Sequence, residues 1–443
     1  MYSSHTAADR AEMLRAIGVA SLEGLLAQVP AELRAGVKDW PPALTEPELT
    51  AHARALAAKN RPLACFAGAG AQDHFIPAAV KALVRRGEFL SAYTPYQAEA
   101  SQGTLQAIYE FQSSVCALYG MEVANASLYD GATALAEAVA AAARITGRKK
   151  VLVPEALHPE WRDVLRTYFR AKGEPQLVAV PCPAGRLDPA EVEKQLDDQV
   201  AAVVIATPNY FGLLEDGAAL ADLAHAKGAL AIAAADPVSL GVLEAPGVWG
   251  ADIAVGEGQG LGNALNFGGP YLGLFACKKA HLRQVPGRIC GLTTDADGKR
   301  GFVLTLQARE QHIRRERAAS NICSNEALCA LAATIHLALL GPNGLREAAE
   351  LCVDKAHRLA EKAAAVPGFR LRFDGPFFNE FVLECPGPAE RVRNRLLREG
   401  ILAGVPLGRL FKPLKNCLLV CATEQRTEEE LDRFVAALGR AAK

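Results

Sequence analysis

Hydrophobic and polar positions follow two different periods along the middle of this chain. Short apolar runs predict buried strands at residues 151–153, 177–180, 201–206, 229–235, 251–255 and 271–276. Amphipathic stretches predict helices at residues 132–144, 160–171, 189–195 and 217–227, and a helix that begins at Ser101. Strands that alternate with helices in this way indicate a mainly parallel sheet with helices on both faces.

The pattern changes at both ends of the chain. Residues 6–60 predict an amphipathic helical arm, which would pack on its own large domain or clasp a partner subunit. A long helix is predicted at residues 324–340. Beyond it, strands at 369–373, 380–384 and 417–421 interleave with helices at 389–398 and 427–442, which indicates a smaller α+β domain. We therefore predict an arm at residues 1–65, a large α/β domain at 66–325 and a small domain at 326–443.

Composition and charge narrow the class of protein. The chain has 443 residues, of which 50% are hydrophobic, and a formal net charge of -1, so it can bury a large core. A near-neutral charge disfavours nucleic acid or an anionic membrane as a general partner. The sequence shows no signal peptide and no run of eighteen apolar residues, which predicts a cytoplasmic protein. Its eleven cysteines contain no CxxC pair, which predicts free thiols rather than disulfides or a metal site.

One carboxylate and one missing amine suggest the chemistry of the large domain. The predicted strand 229–235 ends at Asp236, which places this side chain at the edge where open α/β sheets bind ligands. In pyridoxal-phosphate (PLP) enzymes built this way, such an Asp pairs with the pyridinium nitrogen, and a lysine after the next strand bonds the cofactor covalently. Residues 228–277 contain no lysine, although Lys227 and Lys278 bracket the gap. The pattern indicates a PLP-enzyme scaffold without its covalent chemistry.

Two further motifs have both a structural and a functional interpretation. Gly131 and Thr133 open the alanine-rich helix, and their N–H groups could cup a phosphate. Asp130 would repel that phosphate, so an ordinary capped helix start is favoured and the cup would be a relic. A basic cluster containing His312, Arg314 and Arg315 predicts a solvated helix face, or guanidinium groups that meet a carboxylate or an acidic patch of a partner.

A polar turn precedes the helix at Ser101. Tyr93, Thr94, Tyr96 and Gln97 offer two phenols, a hydroxyl and an amide, which exceeds the hydrogen-bonding needs of a structural loop. On this chemistry alone, a role in an active site or interface and a structural role remain equally supported.

Long sequence blocks around this turn resemble a known family. They are Thr-Pro-Tyr-Gln at 94–97, Ser-Gln-Gly-Thr-Leu-Gln at 101–106, Glu-Phe-Gln at 110–112, Pro-Gly-Arg-Ile at 286–289, Gly-Phe-Val-Leu-Thr-Leu-Gln at 301–307, Arg-Glu-Gln-His-Ile-Arg-Arg-Glu at 309–316 and Ser-Asn-Ile-Cys at 320–323. The chain resembles glycine decarboxylase, the P-protein of the glycine cleavage system, over nearly its whole length. More narrowly, it is similar to the N-terminal half, which many bacteria and archaea make as a separate alpha subunit.

The resemblance implies a fold-type-I PLP-transferase architecture and agrees with the missing lysine. In this family the second subunit carries the Schiff-base lysine eleven residues before the Pro of a Gly-Gly-Pro motif. Here the Gly-Gly-Pro motif ends at Pro270, and Gln259 lies eleven residues before it. The departure from the family is small: Ala98 stands where many members have Pro, which leaves the polar groups of the loop unchanged.

The resemblance also implies an activity and its partners. An alpha subunit of this kind pairs with a beta subunit that holds PLP, as a heterotetramer of two alpha and two beta chains. The complex decarboxylates glycine and transfers the aminomethyl group to the lipoyl arm of H-protein.

The residues expected to complete the partner's site, by hydrogen bonds to cofactor or glycine carboxylate and by fixing the interface, are Thr94, Tyr96, Gln97 and Ser101, followed by Arg314 or Arg315. Those expected in a degenerate site without covalent PLP are Asp236, Gln259, Gly131 and Thr133. Two alternatives remain open at this stage: a purely structural scaffold, and an independent PLP enzyme such as an aminotransferase or desulfurase.

Overall fold

A computed structural model describes residues 4–34, 41–90, 94–171 and 173–442, and the chain divides into two compact units, Met1–Arg61 and Pro62–Lys443. Tyr93 of the polar turn lies outside the described residues. The domain boundaries expected at residues 65 and 325 stay predictions.

The first unit is helical, as its pattern predicts. Its helices are α1 (Ala7–Ile17), α2 (Leu22–Leu25) and α3 (Glu46–Ala57). A capping box begins α1, because Asp9 N–H donates to Thr6 Oγ1 at 3.2 Å while Thr6 N–H donates to Asp9 Oδ2 at 2.7 Å. These helices bury no residue, and 61% of the Ile17 side chain is exposed. A clasp on a partner subunit stays a prediction.

The second unit contains the remaining elements. Its helices are α4 (Ala78–Leu83), α5 (Gln102–Tyr119), α6 (Gly131–Thr146), α7 (Pro159–Arg170), α8 (Pro189–Gln195), α9 (Gly217–Ala226), α10 (Gln311–Arg314), α11 (Ala327–Ala364), α12 (Ala389–Arg398) and α13 (Glu428–Ala441). Its strands are β1 (Ala64–Cys65), β2 (Val123–Ala124), β3 (Lys150–Pro154), β4 (Gln176–Val180), β5 (Val200–Ala206), β6 (Leu230–Ala234), β7 (Ile253–Glu257), β8 (Gly273–Cys277), β9 (Ile289–Thr294), β10 (Arg300–Thr305), β11 (Arg370–Leu371), β12 (Glu380–Glu384), β13 (Ile401–Leu402), β14 (Val405–Pro406) and β15 (Cys417–Cys421).

The main sheet has seven strands in the order β2-β8-β7-β6-β5-β3-β4. Strands β3 to β7 are parallel, which confirms the predicted α/β class. Strand β8 is antiparallel to β7, and β2 is antiparallel to β8, so one edge of the sheet departs from the parallel pattern. All seven residues of β5 are buried, which explains why this strand is a continuous apolar run.

A second sheet lies in the C-terminal region, where the sequence predicts α+β structure. Its order is β11-β12-β15-β14, and its neighbouring strands are antiparallel. Helices α12 and α13 bury Leu396 and Phe434 in the same core as this sheet. A hairpin that the pattern does not predict, β9–β10, packs Cys290 and Phe302 against Leu105 of α5.

The helical run predicted to end near residue 340 breaks there, because Gly341 has non-helical backbone angles with a φ of 58°. The pattern did not predict the second helical stretch that follows, so α11 consists of two helices joined at a kink. Pro342 starts the second half, where its fixed φ is compatible with a first helical turn. By length and composition, α11 is apolar enough to span a membrane. Its buried residues, however, such as Ala333 and Leu359, belong to two protein cores, as expected of a core helix.

The described chain holds all eleven cysteines as free thiols, most of them buried. This agrees with the expectation from their spacing. Burial raises the pKa of several of these thiols, including Cys277 to about 12, so they are protonated at neutral pH.

Gly212 lies where the main sheet and the second sheet meet backbone to backbone. It follows β5 and has a φ of 85°. An added Cβ would lie 1.9 Å from the carbonyl oxygen of Glu380, the first residue of β12. Phe378 N–H also donates to Gly212 O at 3.2 Å, so the contact is held from both sides.

We predict that Gly212→Ala strongly lowers stability, by roughly 3 kcal/mol or more, because it adds backbone strain to a steric clash. The midpoint of urea denaturation measures the effect. Gly387→Ala is the matched control, since an added Cβ there meets no atom within 4 Å. Equal midpoints for both variants would contradict this account of the sheet contact.

Candidate functional site

The carboxyl ends of β5, β6 and β7 open onto a cavity of about 100 Å³. This is the edge at which open α/β sheets bind ligands. Its main lining residues are Gln72, His74, His158, Trp161, Asn209, Tyr210, Asp236, Glu257, Gln259, Asn379 and Glu380. The cavity therefore combines carboxylates, amides and aromatic rings.

Asp236 lies directly beyond β6, where the apolar run places it. Its Oδ1 accepts hydrogen bonds from Val238 N–H at 2.7 Å and Ser239 N–H at 3.3 Å. Its Oδ2 has one long contact, with Gln72 Nε2 at 3.5 Å. Burial raises the pKa of Asp236, and the charge of His74 opposes that rise. The carboxyl group is thus held by the turn that follows the strand.

Gln259 occupies the loop after β7, and 3% of the residue is exposed. Its Oε1 accepts a hydrogen bond from Gln72 N–H at 2.8 Å, and its Nε2 donates to Asn263 O at 2.8 Å. Both ends of the amide are therefore engaged in holding the loop. Gln72 connects this side chain to Asp236, so the structure brings together two of the residues expected in the degenerate site.

The two bracketing lysines lie away from this cavity. Lys278 Nζ forms an ion pair with Asp252 Oδ1 at 2.8 Å, just before β7 begins and thus at the opposite end of that strand. Lys227 ends α9 and precedes β6. Among the described residues that line the cavity, none is a lysine.

The carboxyl group of Glu257 accepts a hydrogen bond from the start of α6 and two more from nearby segments. Its Oε2 accepts a hydrogen bond from Gly131 N–H at 3.0 Å. Its Oε1 accepts hydrogen bonds from Gln259 N–H and Leu272 N–H, each at 3.0 Å. Burial raises the pKa of Glu257 to about 8, and these three donors oppose the rise. One side chain thus joins a helix, a loop and the segment before β8.

The start of α6 does not fit the phosphate of PLP. Asp130 Oδ1 accepts from Thr133 N–H at 2.7 Å, which gives the capped helix start favoured from the sequence. Gly131 N–H already donates to Glu257. A phosphate there would meet two carboxyl groups and two donors that are already used. The residues present therefore match neither the phosphate cup nor the covalent anchor of PLP.

A polar network that the sequence analysis missed borders the cavity. Glu380 Oε1 accepts from Ala69 N–H at 2.7 Å, and its Oε2 accepts from Gln72 Nε2 at 3.4 Å. Burial raises the pKa of Glu380 to about 7. The available signal was a charged residue opening an otherwise apolar strand, but its partners lie more than 300 positions away.

His74 and Glu424 form an ion pair beside this network. His74 Nδ1 lies 2.7 Å from Glu424 Oε2, and the Cys352 thiol donates to the same oxygen at 3.3 Å. Burial acts to raise the pKa of Glu424, but the hydrogen bond and charge of His74 lower it to about 2. Burial likewise opposes the rise in the His74 pKa that Glu424 produces. His74 and Cys352 thus both find a hydrogen-bond partner in the carboxylate of Glu424.

Aromatic side chains form one wall of the cavity. The rings of His158 and Trp161 stack with centroids 6.2 Å apart, and His158 meets Tyr210 edge-on at 4.8 Å. His158 Nε2 lies 2.7 Å from Ala69 O, while burial lowers the pKa of His158. A neutral imidazole therefore faces the cavity, held by the backbone.

The polar turn at residues 94–97 forms a separate cluster on the surface. Arg288 Nη2 donates to the Tyr96 hydroxyl at 3.3 Å, and the ring of Tyr96 meets the ring of His312 edge-on at 6.1 Å. Half of Tyr96 is exposed, and the hydroxyl of Thr94 is buried without a partner among the described residues. Neither Thr94 nor Tyr96 lines the Asp236 cavity.

The other residues expected near a partner surround this cluster or are exposed. Helix α5 begins immediately after Ser101, although the Ser101 side chain forms no capping hydrogen bond. Gln97 is exposed and lies outside the cavity lining. Arg314 and Arg315 are exposed at the end of the short α10, and neither has an ion-pair partner among the described residues.

Arg288, the arginine of the Pro-Gly-Arg-Ile block at 286–289, is a further site candidate. It is 4% exposed, and its Nε and Nη1 have no hydrogen-bond partner among the described residues. Its guanidinium carbon lies 5.6 Å from the centroid of the Tyr96 ring. A buried cation without a carboxylate is costly, and here its Nη2 donates to the Tyr96 hydroxyl at 3.3 Å.

Comparison with known proteins is consistent with the fold. The sequence profile of the glycine cleavage system P-protein family matches residues 1–438. A "probable glycine dehydrogenase (decarboxylating) subunit 1" of Chlorobaculum parvum is 52% identical over 438 residues, which cover 98% of each chain. A protein with the same name in Moorella thermoacetica is 53% identical, and the alignment covers 99% of this chain and 98% of that one.

Solved structures give the same result. A crystal structure of glycine decarboxylase (P-protein) in inhibitor-bound form has a TM-score of 0.90 and 48% identity, with full coverage of both chains. A glutamate decarboxylase of Lactobacillus brevis, at a TM-score of 0.68 and 14% identity, shares the fold alone. The fold is therefore that of the fold-type-I PLP transferases, and the chain belongs to the glycine cleavage system P-protein family.

Proposed function

We propose that this chain is subunit 1 of a glycine dehydrogenase (decarboxylating), a subunit that carries no covalent PLP. A second subunit would hold PLP through its own lysine, in a heterotetramer of two chains of each kind. The complex would release CO2 from glycine and pass the aminomethyl group to lipoylated H-protein. A cytoplasmic location is proposed because the eleven free thiols suit a reducing compartment.

This proposal is carried by the hydrogen bonds at the cavity, where the positions that would bind PLP already have partners within the chain. The chain also aligns end to end with glycine dehydrogenase subunits. Gln259 provides a neutral amide where a covalent anchor would need an amine. Glu257 uses the donor at Gly131 that a phosphate would need. A decarboxylating complex that includes this chain therefore needs its electron sink on another subunit.

The contribution of this chain would come from the Tyr96 surface. Arg288 fixes the Tyr96 hydroxyl from beneath, while half of the tyrosine remains exposed. Such a preorganised hydroxyl can donate a hydrogen bond across an interface at little cost in side-chain entropy. Thr94, Gln97 and Ser101 would complete this surface, and Arg314 or Arg315 would meet carboxylate groups of glycine or of the partner.

Coexpression with the second subunit tests the proposed function directly. The purified pair should catalyse glycine-dependent exchange of CO2 when H-protein is added, and each chain alone should not. Analytical ultracentrifugation should show a heterotetramer. Exchange by the second subunit alone, at the rate of the pair, would contradict a catalytic contribution from this chain.

We predict that Tyr96→Phe in the assembled pair lowers the exchange rate by about ten- to a hundredfold, because a hydrogen bond used in the transition state is worth roughly 1.5–3 kcal/mol. Assembly should be normal, since the ring still packs over Arg288, although the hydrogen bond from Arg288 to the hydroxyl is lost. Tyr168→Phe is the matched control, because this tyrosine is also exposed and its hydroxyl has no described hydrogen-bond partner. Full activity of Tyr96→Phe would favour a purely structural scaffold.

We also predict that Gln259→Lys does not create a PLP enzyme. The new amine would supply only the nucleophile, because Glu257 and Asp130 would still occupy the donors at the start of α6. After incubation with PLP and borohydride, mass spectrometry should show no modified peptide in the wild-type chain, and the variant should show no glycine exchange without the second subunit. Stoichiometric modification of Lys227 or Lys278 in the wild-type chain would instead support an independent PLP enzyme.

A further inference from the structure

A second cleft lies on the same edge of the main sheet, beyond the ends of β3 and β4. Its volume is about 470 Å³, within the range of small-molecule sites. Glu155 and Pro181–Pro183 border it from the main sheet, and the segment at residues 410–414 borders it from the C-terminal region. It shares no lining residue with the Asp236 cavity, so it is a separate feature.

Three cations line this cleft without a carboxylate partner. They are Arg162, Arg372 and Lys412, and none of them forms an ion pair or a side-chain hydrogen bond with another described residue. The Nε of Arg162 is buried and has no hydrogen-bond partner in the described part of the chain. Glu155 is the one acidic lining residue, so the cleft has an excess of positive charge.

The guanidinium groups nearest to the cleft along the chain are paired. Arg166, one turn after Arg162 on α7, pairs with Asp163, and Arg370, two residues before Arg372, pairs with Glu384 at 3.0 Å. The two arginines that face the cleft thus differ from their near neighbours. Arg162 is partly buried and has no carboxylate at ion-pair distance. An anion bound in the cleft would supply the opposite charge.

Aromatic rings supply the other half of the cleft. Phe211 packs against Phe373 and Phe411, each at a centroid distance of 5.0 Å. Arg162 lies over the Phe411 ring at 5.5 Å, and Arg372 lies over the Phe373 ring at 5.4 Å. Phe373 and Phe411 are half-buried, so they leave apolar surface open to the cleft. Flat rings beside planar guanidinium groups suit a flat ligand that stacks.

We propose that this cleft binds a small planar anion, a ring that carries a phosphate or carboxylate group. The anionic group would contact Arg162 and Arg372 and the ring would pack against Phe373 and Phe411. Lys412, exposed at the rim, would add a longer-range attraction. The proposal does not depend on the subunit role, since the cleft and the Tyr96 surface have no residue in common.

Calorimetric titration of the full chain, alone and with its partner, tests the site. AMP represents a planar phosphate and 2-naphthoate a planar carboxylate, while adenosine and inorganic phosphate represent the ring and the anion separately. We expect AMP or 2-naphthoate to saturate one site per chain, and the separated halves to bind more weakly. Which of the two planar anions binds identifies the anionic group.

The variants locate the binding. Arg372→Gln and Arg162→Gln should each weaken binding by about tenfold or more, because each loses a charge-assisted contact. Arg370→Gln, two residues before Arg372 and outside the cleft lining, should bind as the wild type does. Phe411→Leu should weaken binding of the planar anion and leave the weak binding of inorganic phosphate unchanged. Thermal melting checks that each variant is folded.

Three results would overturn the proposal. They are no saturable binding of either planar anion at millimolar concentration, equal affinity in Arg372→Gln and the wild type, and binding of inorganic phosphate as tight as that of AMP. Arg372 is exposed, so its substitution decides the matter even if Arg162→Gln fails to fold.

Discussion

The hydrogen bonds of the Glu257 carboxyl group organise the cavity at the centre of this protein. This one side chain accepts from Gly131 at the start of α6, from Gln259 in the loop after β7 and from Leu272 before β8. A buried carboxyl group needs such donors, and here they come from the backbone of three separate segments. The group therefore fixes the helix start, the loop and the adjoining strand relative to one another.

The same interaction explains why the start of α6 does not fit the phosphate of PLP. A free helix start can donate its N–H groups to a phosphate. At the start of α6, these groups donate to the carboxyl groups of Asp130 and Glu257 instead. Gln259 then completes the loop through neutral hydrogen bonds to Gln72 and Asn263. The chain thus satisfies these polar groups by itself at this edge of the sheet.

Both surfaces proposed to bind a partner contain buried polar atoms without described hydrogen-bond partners. Arg288 and Thr94 have buried atoms without described partners beneath the exposed Tyr96. Arg162 has a similar buried atom in the second cleft. Buried polar groups in folded proteins are nearly always paired. Similar atoms occur on Arg186, His336, Arg358, Asn416 and Arg426, so at the two proposed surfaces the exposed tyrosine and the aromatic cleft are needed as further support. The first fits a neighbouring subunit, and the second fits a small anion because it lies in a concave aromatic site.

The sequence by itself determined the order and kind of most elements, the position of Asp236 at a strand end and the absence of a lysine after β7. These features depend on local periodicity and on residue identity, which can be read along the chain. The Gly and Pro at 341 and 342 are typical of a helix end, and the first helix of α11 does break there. The sequence did not predict the second helix, which runs on to Ala364. The tertiary structure alone decided that Gln72 and Glu380, 308 positions apart, share a hydrogen bond and that Arg288 lies under Tyr96. Such contacts depend on how distant segments pack, because a hydrogen bond between two side chains leaves no periodic trace in either segment.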